Sequence, residues 1–541
     1  MAGSRPHRRL GALALAVAVL GAAFAAASCS LVVERDAAQC ASSRDCDAKG
    51  GAFQGAVCQS GVCRPCSSHR DCAGGALLRA CVQPEGRCVE VFSPECQTLT
   101  NGTEDVDPKE ILKSERVVIV GALFKDDGAR DVTEQRLRSV RVALSDIEKA
   151  GGIPAGAAPA RSLAALVCDA ADEPLLRSAK HLAERLKVPA IIGPAGSGRV
   201  IKVATEVTVR QGTLLIAPTA TSALITSLDD RGLVWRTAPT DLLQAVPLRV
   251  QIPALEASLR ARFPSIAQVK LAVVAKDDAY GTALAGLLVP SGGQDAPLLN
   301  GKPLNPAAPY FRSIVYPAVE GPRDEDRKAL SDFAPHIVIL LGTTETVKAV
   351  VGPLEQAGAT ASWNPGILPE YVFTDGARGD DLLSAIRTTP SLQKRVRGTV
   401  PAYRGSVYDA FVSAYRGAFI DVPTAYGTAG AFDATYLVAL SLAAEGPPNP
   451  TGELLAKGLG KLVAGERVEA RLTELGKGFG ALRAGQSINF VGASGELDFD
   501  LATGDVVTDI DVWCVSNLAY ASSGQVFVGA TKTVEGPFAC P

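Results

Sequence analysis

The chain has 541 residues, of which 47% are hydrophobic, and a formal net charge of -3. This length allows two to four domains with sizeable cores, and the nearly balanced charge gives no electrostatic reason to expect a nucleic acid as partner. Thirteen cysteines would suggest metal or redox chemistry in a reducing compartment, but they indicate disulfides if the protein is exported.

Residues 1–28 are typical of a bacterial lipoprotein signal peptide. Three arginines precede an apolar run, and small residues then lead to Cys29. The run is about 16 residues long, too short for a comfortable membrane span. The resemblance to lipoprotein signals implies that Cys29 becomes the acylated N-terminus, in the periplasm or at the cell surface. Ser30, rather than an aspartate, follows Cys29, which favours the outer membrane. The alternative to a lipoprotein signal is an ordinary signal peptide that is cut near Ala27.

Residues 29–98 are predicted to form a disulfide-rich module with an internal repeat. One copy runs from Cys40 to Cys63 and the other from Cys66 to Cys88, and each contains four cysteines. Such a small module with few large apolar residues needs disulfides for stability. A zinc site is disfavoured because the C-x-x-C from Cys63 to Cys66 has no second such pair. We therefore expect four disulfides within the two copies and no metal.

If Cys29 carries a lipid, twelve cysteines remain, an even number that can pair completely. Alternating apolar segments at residues 507–515 and 525–529 predict a C-terminal hairpin, which a disulfide between Cys514 and Cys540 would clamp. By elimination, this leaves Cys96 and Cys168 as a tie between the module and the following domain.

Residues 99–115 are predicted to be a polar linker, and strands and helices then alternate with short turns. Buried strands are expected at residues 117–120, 163–167, 188–193 and 213–217, and again at 269–275, 336–342 and 370–374. Such alternation predicts two α/β lobes, each a parallel sheet covered by helices. The expected bounds are 116–240 with 402–485 for lobe 1, and 241–401 with 486–535 for lobe 2.

Seven segments in order give the chain from about Val117 to Gly529 a specific resemblance. They are IIGPAGSG (191–198), IAPTATS (216–222), VWRTAPTD (234–241), KDDAYG (276–281), FTDG (373–376), AYGTAGAFDATYLVALSLA (425–443) and GASGELDFDLATGD (492–505). The chain resembles the type 1 periplasmic binding proteins of the leucine/isoleucine/valine-binding branch. That resemblance implies two Rossmann-like lobes joined by three crossovers, which close on a small molecule.

The resemblance also implies a set of ligand-binding residues. Ser197 and Thr221 match hydroxyl donors that hold a ligand carboxylate, beside a helix N-terminus that favours an anion. Tyr280 matches an aromatic residue of the second lobe, and Asp375 lies where the family binds an ammonium group. Each has a structural alternative: a helix cap for Ser197, a turn hydroxyl for Thr221, packing within its lobe for Tyr280, and a turn with Gly376 for Asp375.

Two further positions, outside this set, have other expected roles. Thr344 stands where the amino-acid binders often carry an aromatic lid, which argues against branched-chain specificity. Arg236, with Trp235, is expected to serve the core and structural pairing rather than the ligand.

Two enzyme motifs are matched only in part, because residues that their chemistry requires are replaced. The segment around Ser197 has the glycine spacing of a P-loop, but Arg199 and Val200 replace the lysine and hydroxyl that phosphate and magnesium require. The same serine lacks both glycines of a G-x-S-x-G motif. We therefore expect neither catalysis nor a cofactor.

Two hypotheses remain for the function. The first is a binding protein that delivers an amino acid or similar solute to an ABC permease. The second is a sensing or surface-interaction lipoprotein with the cysteine-rich module as its partner-binding element.

Overall fold

The computed structural model describes residues 38–73, 77–114, 116–125, 130–156, 158–290, 296–360, 366–446 and 449–541. The predicted signal peptide, residues 1–28, and Cys29 lie outside these residues. The chain divides into two compact units, Met1–Cys66 and Ser67–Pro541.

The described part of the smaller unit is a disulfide-bonded helix and hairpin. Helix Ser43–Lys49 precedes the antiparallel strands Val57–Gln59 and Val62–Arg64. Asp45 accepts hydrogen bonds from the backbone N–H groups of Ala41 and Ser42 at 2.7 Å each, which caps the helix. Disulfides join Cys40 to Cys58 and Cys46 to Cys63. These bonds supply the stability that so small a core cannot.

The second copy of the repeat belongs to the larger unit from Ser67 onward, and it also consists of a short helix and a hairpin. Asp71 accepts from the N–H groups of Ser67 and Ser68 at 2.7 and 3.0 Å, as Asp45 does in the first copy. The short helix His69–Cys72 and the hairpin of Arg79–Val82 with Arg87–Glu90 follow. Cys72 pairs with Cys88, and Cys66 and Cys81 are also disulfide-bonded. The disulfide-rich repeat is therefore confirmed.

Part of the predicted module and the predicted linker are instead integral to the larger unit. Cys96–Thr100 forms a strand, and Pro108–Lys113 forms a helix whose Ile111 and Leu112 are buried. The polar composition of residues 99–115 suggested a linker, but Leu99, Ile111 and Leu112 are buried in a core of the first lobe, so this segment packs against the lobe.

The first lobe is built on a six-stranded sheet. Its strands are β1 (Cys96–Thr100), β2 (Val118–Lys125), β3 (Leu163–Asp169), β4 (Ala190–Ile192), β5 (Leu214–Ala217) and β6 (Val234–Arg236), in the order β6-β5-β4-β2-β3-β1. All neighbouring strands are parallel except β1, which pairs antiparallel with β3. The four apolar runs predicted as buried strands form β2 to β5, because helices cover both faces of the sheet.

The second lobe contains an eight-stranded mixed sheet. Its strands are β7 (Leu271–Asp277), β8 (Phe311–Pro317), β9 (Ile337–Leu341), β10 (Glu370–Phe373), β11 (Val396–Pro401), β12 (Ile510–Ser516), β13 (Ala519–Val528) and β14 (Thr533–Glu535), in the order β8-β7-β9-β10-β11-β12-β13-β14. β7 to β11 are parallel, and β12 to β14 continue antiparallel. Cys514 and Cys540 are disulfide-bonded as predicted.

The remaining elements surround these sheets. The helices from Arg130 onward are Arg130–Lys149, Leu175–Lys180 continuing into His181–Arg185, Ser197–Val203 continuing through Ala204–Thr208 and Val209–Gln211, Ala223–Thr226, Asp241–Arg262, Gly281–Leu288, Asp324–Phe333, Val347–Val351 continuing into Gly352–Thr360, Asp380–Thr388, Ser406–Phe419, Thr428–Glu445, Gly452–Leu459 and Leu472–Arg483. Short strand pairs are Ile153–Ala155 with Ala158–Arg161, Leu298–Leu299 with Lys302–Pro303, and Phe499–Asp500 with Asp505–Val506, and a small sheet contains Glu466–Glu469, Ile488–Gly492 and Gly495–Glu496.

The chain crosses between the lobes three times, and the third crossing differs from the expected one. Phe490, Phe499 and Val506 pack in the same core as helix Thr428–Glu445 of the first lobe, whereas the sequence placed residues from 486 onward in lobe 2. The crossing therefore lies between Val506 and β12. The apolar alternation predicted strands here but contained nothing that specifies which core they join. Among the described residues, no helix combines the length and hydrophobicity that a membrane span requires.

Candidate functional site

Three of the predicted ligand-binding residues follow strands whose carboxyl ends meet between the lobes. Thr221 lies beyond β5 and Tyr280 beyond β7, while Asp375 follows β10. Ligands of open α/β sheets bind beyond these strand ends. Ser222 Oγ donates a hydrogen bond to the backbone oxygen of Ala279 at 2.5 Å, which joins the first lobe to the second beside these residues.

Asp375 is held by uncharged donors from two other segments. Its Oδ1 accepts from Gln244 Nε2 at 2.7 Å and from the Tyr280 hydroxyl at 2.9 Å. The same hydroxyl lies 2.6 Å from Thr374 Oγ1. Asp375 itself is only 2% exposed. The structure thus brings Asp375 and Tyr280 into direct contact, and contact of either residue with a ligand stays a prediction.

A second buried carboxylate, Asp241, lies in the same cluster and was not among the predicted site residues. It begins helix Asp241–Arg262 at the first crossing, and its N–H donates to the backbone oxygen of Thr221 at 2.6 Å. The side chain is fully buried. Neither of its carboxylate oxygens has a hydrogen-bond partner among the described residues.

Unpartnered polar atoms are concentrated in this cluster. Those atoms are Thr221 Oγ1, Asp241 Oδ1 and Oδ2, Gln244 Oε1, and the hydroxyls of Tyr403 and Tyr426. Buried polar groups in proteins are nearly always hydrogen-bonded, and leaving one unpaired costs about 1–3 kcal/mol. A cluster of six such atoms is therefore suited to a polar ligand that supplies both donors and acceptors.

The electrostatics of the cluster favour a positive charge between the two carboxylates. Burial raises the pKa of Asp241 well above its usual value, and the nearby charge of Asp375 raises it further, while the neighbouring Thr221 hydroxyl and, after it, Arg236 act in the opposite direction. Burial also raises the pKa of Asp375, while the hydrogen bonds from Gln244 and Tyr280 oppose that rise. A ligand cation would stabilise both ionised carboxylates and offset the cost of their burial.

Two tyrosine rings complete the cluster. Tyr403 follows β11 at the second crossing, and Tyr426 precedes helix Thr428–Glu445. Their rings are nearly parallel, with centroids 6.2 Å apart. Burial raises the pKa of both hydroxyls, and the charge of Asp375 raises it further, so both remain protonated donors. Aromatic faces next to carboxylates also favour a cationic ligand group.

Ser197 lies next to this cluster and supports the loop that contains Thr221. Its Oγ accepts a hydrogen bond from the N–H of Ser222 at 3.1 Å, and it is 2% exposed at the start of helix Ser197–Val203. The Gly196 N–H, in turn, donates to Thr219 Oγ1 at 3.1 Å. Contact of Ser197 with a ligand carboxylate stays a prediction.

Arg236 is a buried structural residue, as expected from the sequence. Its Nε donates to Asp505 at 2.6 Å, and its Nη1 donates to the backbone oxygen of Ser222 at 2.8 Å. Trp235 packs edge-on against Phe499, with ring centroids 4.9 Å apart. These contacts fix the turn that presents Thr221 to the cluster.

The residues that sequence reasoning missed all lie at or near the crossings. Asp241 ends the quoted segment VWRTAPTD and Tyr426 lies within AYGTAGAFDATYLVALSLA, so both belonged to recognised segments without being assigned a role. Gln244 follows Asp241 by one helical turn, on the same face. A polar residue at a predicted crossing is the signal that would have identified Asp241.

No protein-family model matches the chain, and no curated protein matches it. Solved structures do match. A leucine-binding protein of Thermotoga maritima MSB8 is 16% identical with a TM-score of 0.54, covering 78% of this chain and 99% of that one. A type 1 periplasmic binding protein of Bordetella pertussis Tohama I is 14% identical with a TM-score of 0.53, covering 75% and 98%.

A third similar structure is an ABC-transporter solute-binding protein of Rhodopseudomonas palustris BisB5 in complex with 3,4-dihydroxybenzoic acid. It is 16% identical with a TM-score of 0.54, and the match covers 76% of this chain and 97% of that chain. The ligands named for these proteins thus include both an amino acid and an aromatic acid. Together with the two sheets, the three crossings and the cluster between the lobes, these matches show that the chain has the type 1 periplasmic binding protein fold.

Proposed function

We propose that this protein is an extracytoplasmic solute-binding lipoprotein that captures a small polar metabolite in the cleft between its lobes. The metabolite is an amino acid or a related compound that carries an amine. The observation that supports this most directly is the pair of buried carboxylates, Asp241 and Asp375, surrounded by unpartnered hydroxyl and amide oxygens. A protonated amine offers up to three donors and a positive charge, which matches that arrangement.

The amine is expected to lie between Asp241 and Asp375, with Tyr280 and Gln244 positioning the second carboxylate. Thr221 and Ser197 lie on the first-lobe side, where the resemblance places a ligand carboxylate. Because Asp241 is close to Thr221, only a ligand whose amine screens Asp241 can bring its own carboxylate to that position without strong repulsion.

For transport, we propose that an ABC permease receives the ligand. The predicted acylation of Cys29 would keep the protein at a membrane, and a permease gene beside this one would support the assignment.

A sensing or surface-interaction role is the second proposal, and one observation favours it. The second cysteine repeat is attached to the first lobe by the Lys187–Glu85 ion pair and by a hydrogen bond of His69 to the backbone oxygen of Val117 at 3.1 Å. A repeat fixed in this way would move with the lobe when ligand binds. It would therefore be suited to transmit closure to a partner.

A thermal-shift screen of the unlipidated protein tests the ligand class. The panel contains amino acids, simple amines and, as the contrasting class, hydroxybenzoates. Ligand at 100 times its Kd should stabilise the protein by about 2.7 kcal/mol. We expect the hits to be amine-bearing compounds, and N-acetylation of a hit should abolish its effect. Hits confined to hydroxybenzoates, or equal binding of the acetylated compound, would refute the amine assignment.

A further inference from the structure

A cavity of about 700 Å³ lies between the second cysteine repeat and the first lobe, away from the cluster around Asp375. Its wall contains the beginning of β2, the segments that precede β4 and β5, and the turn after helix Thr428–Glu445. It therefore lies at the amino edge of the first-lobe sheet, whereas Thr221 lies beyond the carboxyl edge. The eight residues of β2 span roughly 25 Å at about 3.3 Å per residue, so both sites can be occupied at once.

Arg161 supplies an uncompensated positive charge to this cavity. The residue is 5% exposed and lines the cavity wall. Its Nη2 donates to the backbone oxygen of Gly446 at 2.9 Å, but its Nη1 has no hydrogen-bond partner among the described residues. An unpaired buried guanidinium is costly unless an anion accompanies it.

A second guanidinium, that of Arg116, increases the positive potential. Arg116 also lines the cavity and donates from Nη1 to the backbone oxygen of Pro159 at 3.0 Å. Within the described part of the chain, neither arginine forms an ion pair with a carboxylate. Burial and the charge of Arg116 together lower the pKa of Arg161, which is the expected effect of two like charges that share a site.

The other charged groups in the wall already have partners. Lys187 pairs with Glu85, and Glu453 pairs with Arg231 at 3.4 Å. His69 is committed to the backbone, because its Nδ1 accepts from the Cys81 N–H at 3.0 Å and its Nε2 lies against Val117. The two arginines are therefore the charges left for a ligand.

We propose that this cavity is a second binding site, for a small anion, either a carboxylate or a phosphate, that is held by Arg161 and Arg116. Guanidinium groups bind both kinds of anion through paired, charge-assisted hydrogen bonds. Because the second repeat forms one wall, anion binding would also stabilise its attachment to the first lobe. This inference is independent of the ligand proposed for the cleft.

Isothermal titration of the full mature chain with citrate and with inorganic phosphate, at constant ionic strength in chloride, tests this site. We expect saturable binding of at least one probe to the wild type. Arg161→Gln and Arg116→Gln should each weaken it at least tenfold. Arg210→Gln is the matched control, since Arg210 is exposed and outside the cavity wall, and it should bind as the wild type does.

Two further results separate this site from the cleft. Asp375→Asn should leave anion binding unchanged, and Arg116→Gln should leave binding of the screened amine unchanged. If Arg161→Gln does not fold, the Arg116 variant decides. Absence of saturable binding of both probes, or wild-type affinity in the folded arginine variants, would overturn the proposal.

Discussion

Asp375 is the residue whose substitution should affect binding most directly. Asp375→Asn removes the negative charge and keeps the size of the side chain, so it breaks the charge-assisted bond to a ligand amine. Breaking one such buried pair costs about 2–5 kcal/mol, and we expect affinity for the screened amine to fall by roughly 30-fold or more at 1.4 kcal/mol per decade. Calorimetric titration measures this loss, and the ligand-free variant should melt no lower than the wild type, because burial raises the pKa of Asp375.

Asp409→Asn is the matched control, because Asp409 is an exposed aspartate on helix Ser406–Phe419 of the first lobe. Its affinity for the amine should equal that of the wild type. Unchanged affinity in the Asp375 variant would mean that the ligand carries no amine, or that Asp375 does not contact it.

Asp241 makes a distinct prediction about pH. Burial in the native state raises the pKa of Asp241 well above 3.8. Above pH 3.8, the native protein therefore still binds a proton that the unfolded chain has released. Each unit of elevation then lowers the stability of the ligand-free protein by about 1.4 kcal/mol as the pH rises. Asp241→Asn cannot ionise, so it should be more stable than the wild type at pH 7 and should lose stability less steeply above pH 4.

Urea unfolding of the two ligand-free proteins between pH 4 and 8 measures that difference. Parallel stability curves would show that burial does not raise the pKa of Asp241 in solution. The same substitution should weaken binding of the amine. The buried carboxylate would then lower the stability of the ligand-free protein while it raises the affinity for the ligand.

Strand β1 follows the second cysteine repeat along the chain and is part of the first-lobe sheet. It pairs antiparallel with β3, and the disulfide Cys96–Cys168 covalently joins the two strands. Closure of a loop of 72 residues should stabilise the fold by about 4 kcal/mol in the chain-entropy account. We therefore expect the Cys96→Ser/Cys168→Ser protein to melt at a clearly lower temperature in calorimetry.

The Cys40→Ser/Cys58→Ser protein is the control, because that disulfide lies within the smaller unit. Its main transition, which reports on Ser67–Pro541, should stay at the wild-type temperature. Equal midpoints for all three oxidised proteins would mean that β1 is held by its strand pairing alone.

At the level of elements, the hydrophobic pattern of the sequence was sufficient to predict some strands and insufficient to predict others. The apolar runs of β2 to β5 were predicted because strands buried on both faces are almost continuously hydrophobic. β8 and β1 were missed because they lie at sheet edges, where polar side chains alternate with buried ones, as in the burial of Phe311, Ile314 and Tyr316. Edge strands are recognised through their pairing partners, which the local sequence does not specify.

For the whole molecule, Cys29 determines the proposed membrane attachment. If the signal is of the lipoprotein type, cells fed labelled fatty acid should incorporate it into the wild-type protein and not into Cys29→Ala. Label would then appear in the membrane fraction with the protein. Equal incorporation in the two proteins would exclude acylation at this cysteine.

The sequence by itself determined the α/β class, the repeat with its disulfides, and three of the residues that meet between the lobes. These features depend on local hydrophobic period, cysteine number, and motifs whose order along the chain is preserved. The tertiary structure decided which core residues 488–506 join, that residues 96–113 belong to the first lobe, and that Asp241, Tyr403 and Tyr426 belong to the cluster with Asp375. Those outcomes depend on contacts between residues far apart in the chain, because burial, ion pairing and the loss of hydrogen-bond partners exist only once the two sheets and their crossings are assembled.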